Sequence, residues 1–117
     1  MRDDVAYLQH ILQCIRKIEE DVKGGRDHFF VSHTTSDAVI RNLQVLAEST
    51  KRLSHDLKSA HPEIEWANIA GLRNVLVHAY FDVDLDVVWG IVKSDLPTLK
   101  RTVVAMLGQI ESEAPPT

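Results

Sequence analysis

The residues best suited to chemistry stand together in one short stretch, Arg73-Asn74-Val75-Leu76-Val77-His78-Ala79-Tyr80. An arginine is a permanent cation whose planar fork of donors grips a phosphate, and a histidine exchanges a proton near neutral pH. Together they suit phosphodiester chemistry without a metal. Polar groups threaded through an apolar segment need a scaffold to position them, and the rest of the chain reads as that scaffold.

At 3.6 residues per turn, Asn74 and His78 share a helix face, while Arg73 lies one turn below Val77 and two turns below Tyr80. Arg73 and His78 are five positions apart, so on an unbroken helix they point well away from each other. If they serve one site, either the helix ends between them or the site draws on two chains, and the spacing thereby hints at a homodimer. A purely structural alternative pairs Arg73 with a carboxylate and leaves His78 at a helix C-terminus, where a cation is favoured. On spacing alone that alternative is the stronger, because short motifs arise often by chance. Tyr80 has a similarly plain reading, an amphipathic ring closing the helix with its hydroxyl in water.

No other constellation competes. His10, His28, His33, His55 and His61 lack the paired spacing of a zinc site and have no cysteine set beside them, so no metal site and no cofactor is expected. Asp82, Asp84 and Asp86 alternate after a helix, but capping explains them more simply than a calcium loop, whose glycine and distal glutamate are absent. Arg41-Asn42 has no histidine at the required distance, which favours core-edge packing or a dimer contact. Lys51, Arg52 and Lys58 read as a solvated helix face, with an RNA approach path as the bolder alternative.

The elements that hold the stretch follow from apolar periodicity. Val5, Leu8, Leu12, Ile15 and Val22, widened by Ile11 and Ile18, mark an amphipathic helix from Asp3 to about Lys23 that Gly24-Gly25 ends. A loop or short turn over Arg26 to Thr35 folds Phe29, Phe30 and Val31 onto the core. N-cap types at Thr34, Thr35, Ser36 and Asp37 then open a helix to about Ser59, with Val39, Leu43, Leu46, Thr50, Leu53 and Leu57 as its stripe. His61-Pro62 breaks the pattern, and a third helix runs from about Glu65 to near Tyr80 with Trp66, Ile69, Ala70, Leu72, Leu76 and Val77. Asp84 or Asp86 caps a fourth with Leu85, Val88, Trp89 and Val92, and Asp95-Leu96-Pro97 kinks or restarts it before Leu99, Val103, Met106 and Ile110. The expected fold is an all-α antiparallel bundle of four to five helices, one domain over residues 1–112 with a disordered tail at 113–117.

Composition sets the outer bounds. A chain of 117 residues, 44% apolar and 26% charged, matches an ordinary single globular domain. A net charge of -4 argues against a general nucleic-acid coat, so any RNA handling falls to a local basic site. The single cysteine, Cys14, excludes an internal disulfide and reads as a small core residue. Met1-Arg2-Asp3-Asp4 is acidic where a signal peptide is basic, and no apolar run spans a bilayer, so a cytoplasmic protein is expected.

With those residues in view, the chain resembles the HEPN domains and, within them, the HepT-like toxins. Their Arg-Asn dipeptide followed by four residues to His stands here as Arg73, Asn74 and His78, and Tyr80 completes the HepT-like extension. The likeness reaches beyond the motif to Ala38-Val39-Ile40-Arg41-Asn42-Leu43, His61-Pro62-Glu63-Ile64 with Trp66, Ile69-Ala70-Gly71-Leu72, Tyr80-Phe81-Asp82-Val83-Asp84-Leu85-Asp86 and Asp95-Leu96-Pro97. Glu65 stands where a proline is common and Ala79 where a glycine is common, departures that touch local backbone and not the chemistry.

The resemblance implies a metal-independent endoribonuclease that acts as a toxin on RNA and dimerises so that two motifs form one cleft; no membrane and, from this chain alone, no DNA is expected as a partner. His78 would exchange the proton as the ribose 2′-hydroxyl attacks the phosphate, Arg73 would hold that phosphate, and Asn74 would orient histidine or substrate. It further implies a minimal nucleotidyltransferase (MNT-type) partner as antitoxin, which adenylylates Tyr80. A rival expectation is a non-catalytic module that binds nucleotide or RNA in the same cleft and docks the partner, which the acidic net charge mildly favours.

Overall fold

A computed structural model describes residues 2–78 and 84–113, with the side chains of residues 2, 73–78 and 113 outside that description. The chain orders as α1 (Arg2–Asp21), α2 (Gly25–Val31), α3 (His33–Lys51), α4 (His55–Ser59), α5 (Trp66–His78), α6 (Leu85–Gly90), a π-helical segment (Ile91–Asp95) and α7 (Leu96–Glu113). Among the described residues there is no strand. No helix among them is long and apolar enough to cross a membrane.

The expected stripes are the core. Leu8, Ile11, Ile15 and Ile18 of α1 meet Val39, Leu43 and Leu46 of α3 and Leu99, Val103 and Met106 of α7, all buried in one cluster. Thr50 sits in the stripe of α3 as expected, buried, because its hydroxyl donates to the Ala47 carbonyl at 2.8 Å and so carries no unsatisfied polar group inward. Helix α1 runs antiparallel to α3 and α7. His10 meets Ser49 and Asp4 meets Ser54 on one side, while on the other Lys100 pairs with Glu19 at 2.9 Å.

Four expectations need correction. Residues 25–31 form α2, not a loop; Gly25, at φ +90, supplies the left-handed step that lets a new helix leave α1 at once. Phe29 is buried and Phe30 partly so, but Val31 is 81% exposed, because its position in α2 falls away from the core. The long second helix is instead α3 and α4, separated at Arg52–Ser54. Its N-cap is Ser32, whose hydroxyl accepts from the Thr35 N–H at 3.3 Å, ahead of the four residues expected.

Near Pro97 there is no break. The π-helical segment, with the Leu96 N–H bonded to the Ile91 carbonyl, widens one turn and leads straight into α7. The missing proline N–H then falls in a first turn.

Candidate functional site

The site helix, α5, is pinned at its start. The Trp66 indole N–H donates to two carbonyls, Lys58 at 3.1 Å and His61 at 3.0 Å, and His61 Nδ1 meets Glu63 at 3.1 Å. A hydrogen bond from the Glu63 N–H within its own residue and then one from His61 hold the Glu63 carboxyl below the usual range. Asn68 donates to the Glu65 carboxylate, tying the first turn of α5 to the residue before it.

The far side of the stretch is anchored as well. Asp84 caps α6 by accepting from the Asp86 N–H at 2.9 Å, so the capping role expected of this aspartate holds. Asp86 in turn pairs with Arg26 of α2 at 2.7 Å. Arg26 lies 4.4 Å over the Phe30 ring, and Phe29 packs at 5.2 Å from Trp89. Helices α2 and α6 thus brace the chain where it returns from the motif.

Between these anchors α5 runs without interruption from Trp66 to His78. That removes one of the two alternatives left by the spacing, a helix end between Arg73 and His78. The five-residue step turns about 140° around the axis and rises about 7.5 Å. Core contacts of α5 come from Trp66, Ile69 and Leu72. The opposite register holds Ala67 and Gly71, and positions 74 and 78 continue it within roughly 60°. An added Cβ at Gly71 would meet nothing within 4 Å. The side chains of Arg73, Asn74 and His78 lie outside the described residues, as do Tyr80 and Asp82 and the expected helix end near Tyr80.

A cleft of about 330 Å³ opens on the core side of α5, floored by Leu46, Ile69, Leu72 and Leu99 and rimmed by Glu63, Glu65 and Asp95. Sequence reading missed it, since no periodicity reports that a π-helical turn will stand off from a neighbouring helix. Its carboxylate rim disfavours a phosphate there.

The remaining candidates fall into structural places. His10, His28, His55 and His61 each meet a side-chain partner, Ser49, Thr35, Ser59 and Glu63. Among the described residues no group of three His, Cys, Asp or Glu is placed to hold a metal ion. Asn42 donates to the Ala38 carbonyl of its own helix, and Lys58 reaches the Thr50 carbonyl at 3.4 Å. Cys14 is buried; burial pushes its thiol pKa up, partly offset by Lys17.

Comparison with known proteins bears on the same stretch. A family profile described as Ribonuclease HepT-like matches residues 11–106. A Thermococcus cleftensis protein named "Probable ribonuclease HepT" is 42% identical over 95 residues, covering 80% of this chain and 86% of that protein. A Methanocaldococcus jannaschii protein named "Gamma-glutamylcyclotransferase and putative RNase" is 38% identical over 113 residues, or 95% of this chain. The chain spans about half of that longer relative, 51%. No solved structure matches.

Proposed function

The chain belongs to the Ribonuclease HepT-like family, and on that premise we propose that it is an endoribonuclease toxin whose active site is a cleft between two copies of the chain. The observation that carries the reading is the unbroken α5. With positions 73 and 78 about 140° apart on one continuous helix, the reading is that a second α5 supplies the partner group for each centre. The small-residue register of Ala67 and Gly71 beside positions 74 and 78 lets another helix approach closely there.

In this cleft His78 takes the proton of a ribose 2′-hydroxyl as its oxygen attacks the adjacent phosphorus. Arg73 holds the phosphate and stabilises its growing charge, and the P–O5′ bond breaks as the leaving oxygen gains a proton. Asn74, one turn from His78, orients the ring or the substrate. The products are a 2′,3′-cyclic phosphate and a 5′-hydroxyl, and the reaction needs no metal. The antitoxin is a minimal nucleotidyltransferase that adenylylates Tyr80, placing negative charge beside Arg73 and blocking entry.

The test is cleavage of a single-stranded RNA by purified cytosolic protein in the presence of a chelator, with His78→Ala alongside. Loss of a general acid–base lowers the rate by about 100-fold or more. Equal cleavage by His78→Ala sinks the catalytic assignment, and binding without cleavage in any preparation selects the non-catalytic module. Mass spectrometry of Tyr80 after co-expression with the partner reads the adenylyl group directly.

A further inference from the structure

On the side of α3 away from the acidic cleft, α1 and α3 enclose a groove of about 400 Å³, the scale of a small-ligand site. Tyr7 and His10 of α1 line it with Arg41, Glu48 and Ser49 of α3 and Arg52 at its end. Tyr7 is partly buried, its ring held by the core, and His10 Nδ1 meets Ser49 Oγ at 3.1 Å. Arg52 stands 3.6 Å from Glu48, and Arg41 lines the same groove. A fixed aromatic ring beside two arginines and a few small polar groups is the chemistry that takes a base and its phosphates.

The position of the groove gives it a use. Leu46 of α3 and Leu72 of α5 line the same cleft, so the two helices are level there, one residue from Arg73. Val45, Glu48 and Ser49 of the groove lie within a turn of Leu46. The groove is therefore at the height of the motif, with α3 and α5 between it and the outer face of α5 that carries positions 74 and 78, roughly 20 Å at 10–12 Å per helix. We propose that it binds single-stranded RNA a few nucleotides away from the unit cleaved, one base on Tyr7 and phosphates of neighbouring units on Arg41 and Arg52, which stand about 16 Å apart along the helix. The proposal rests on the ribonuclease reading for its substrate. It gives Arg41, otherwise assigned to packing or a dimer contact, a role in positioning RNA.

The test is binding of a short fluorescein-labelled uridine oligoribonucleotide to the His78→Ala protein, over a range of salt. Tyr7→Leu, which keeps an apolar side chain but loses the ring, weakens binding about fivefold or more, and Tyr7→Phe stays within about twofold. Arg41→Ala with Arg52→Ala flattens the slope of log K against log salt by about 1.4, near 0.7 per phosphate. Affinity unchanged in Tyr7→Leu together with an unchanged slope overturns the proposal, as does Tyr7-dependent binding of free uridine monophosphate without any effect on the oligonucleotide. Should Tyr7→Leu fail to fold, the arginine pair, on exposed positions, carries the test alone. Cleavage by the unaltered protein is scored separately. Its absence with groove-dependent binding removes the ribonuclease reading only, and cleavage with groove-independent binding removes the groove only.

Discussion

Mixing Arg73→Ala chains with His78→Ala chains distinguishes a shared site from two separate ones. Helix α5 carries both residues on one continuous backbone. Over five residues it turns about 500°, a net separation of about 140°, while rising about 7.5 Å. If each centre takes Arg73 from one copy and His78 from the other, a mixed dimer has one centre that lost both residues and one that kept both. Random pairing at equal amounts makes about half the dimers mixed, so about one quarter of the wild-type centres are intact. If each centre uses one copy alone, none is intact. Each parent is slowed by about 100-fold or more through loss of its own residue. The assay is the initial rate of RNA cleavage by chains co-expressed with two different tags, with the mixed dimer isolated by sequential affinity steps. In that isolated species the recovery rises to about one half, since every molecule then carries one intact centre. A mixed dimer of demonstrated composition that is no more active than its parents refutes the shared cleft.

Two further outcomes concern the scaffold. Asp4 is buried, and its carboxylate accepts from the Ser54 N–H at 2.8 Å and the Ser54 hydroxyl at 2.7 Å, so Asp4→Ala costs about 1–3 kcal/mol, roughly 4–15 °C in thermal melting; a shift below about 1 °C contradicts that account. Cys14 is 3% exposed with its thiol pKa raised by burial, so a disulfide-exchange reagent reacts slowly with the native protein and rapidly in denaturant, and fast native labelling near neutral pH contradicts its placement.

The long helices were legible because their signal is local. Leu8, Ile11, Ile15 and Ile18, or Val39, Leu43 and Leu46, repeat over several turns, and burial of one face follows from the repeat. Helix α2 was not, since seven residues give less than two periods and Phe29-Phe30-Val31 are contiguous, which no helical template separates from a collapsed loop. The break after α3 was hidden for a different reason. Leu53 and Leu57 keep the four-residue step across it, while part of what fixes the break is Asp4, fifty positions away in sequence, gripping the Ser54 that caps α4. Sequence spacing carries no trace of such a contact. The reverse holds at Pro97, a breaker by type, whose effect a π-helical turn absorbs.

The motif was readable from residue type, and its expected use of two chains from arithmetic on spacing; the continuity of α5 through His78 leaves that arithmetic standing with one alternative fewer. What residue type did not convey is how charge is distributed around the helix. On the core side of α5 the nearest cleft is rimmed by Glu63, Glu65 and Asp95, while across α3 the groove presents Arg41 and Arg52. A chain of net charge -4 gains no general attraction for RNA, so in the proposed reading a strand is drawn where such cations stand and repelled where the carboxylates are. That makes control by charge efficient: in the proposed mechanism the negative charge of an adenylyl group on Tyr80 opposes the cation of Arg73, which a chain of net charge -4 has no surplus to replace.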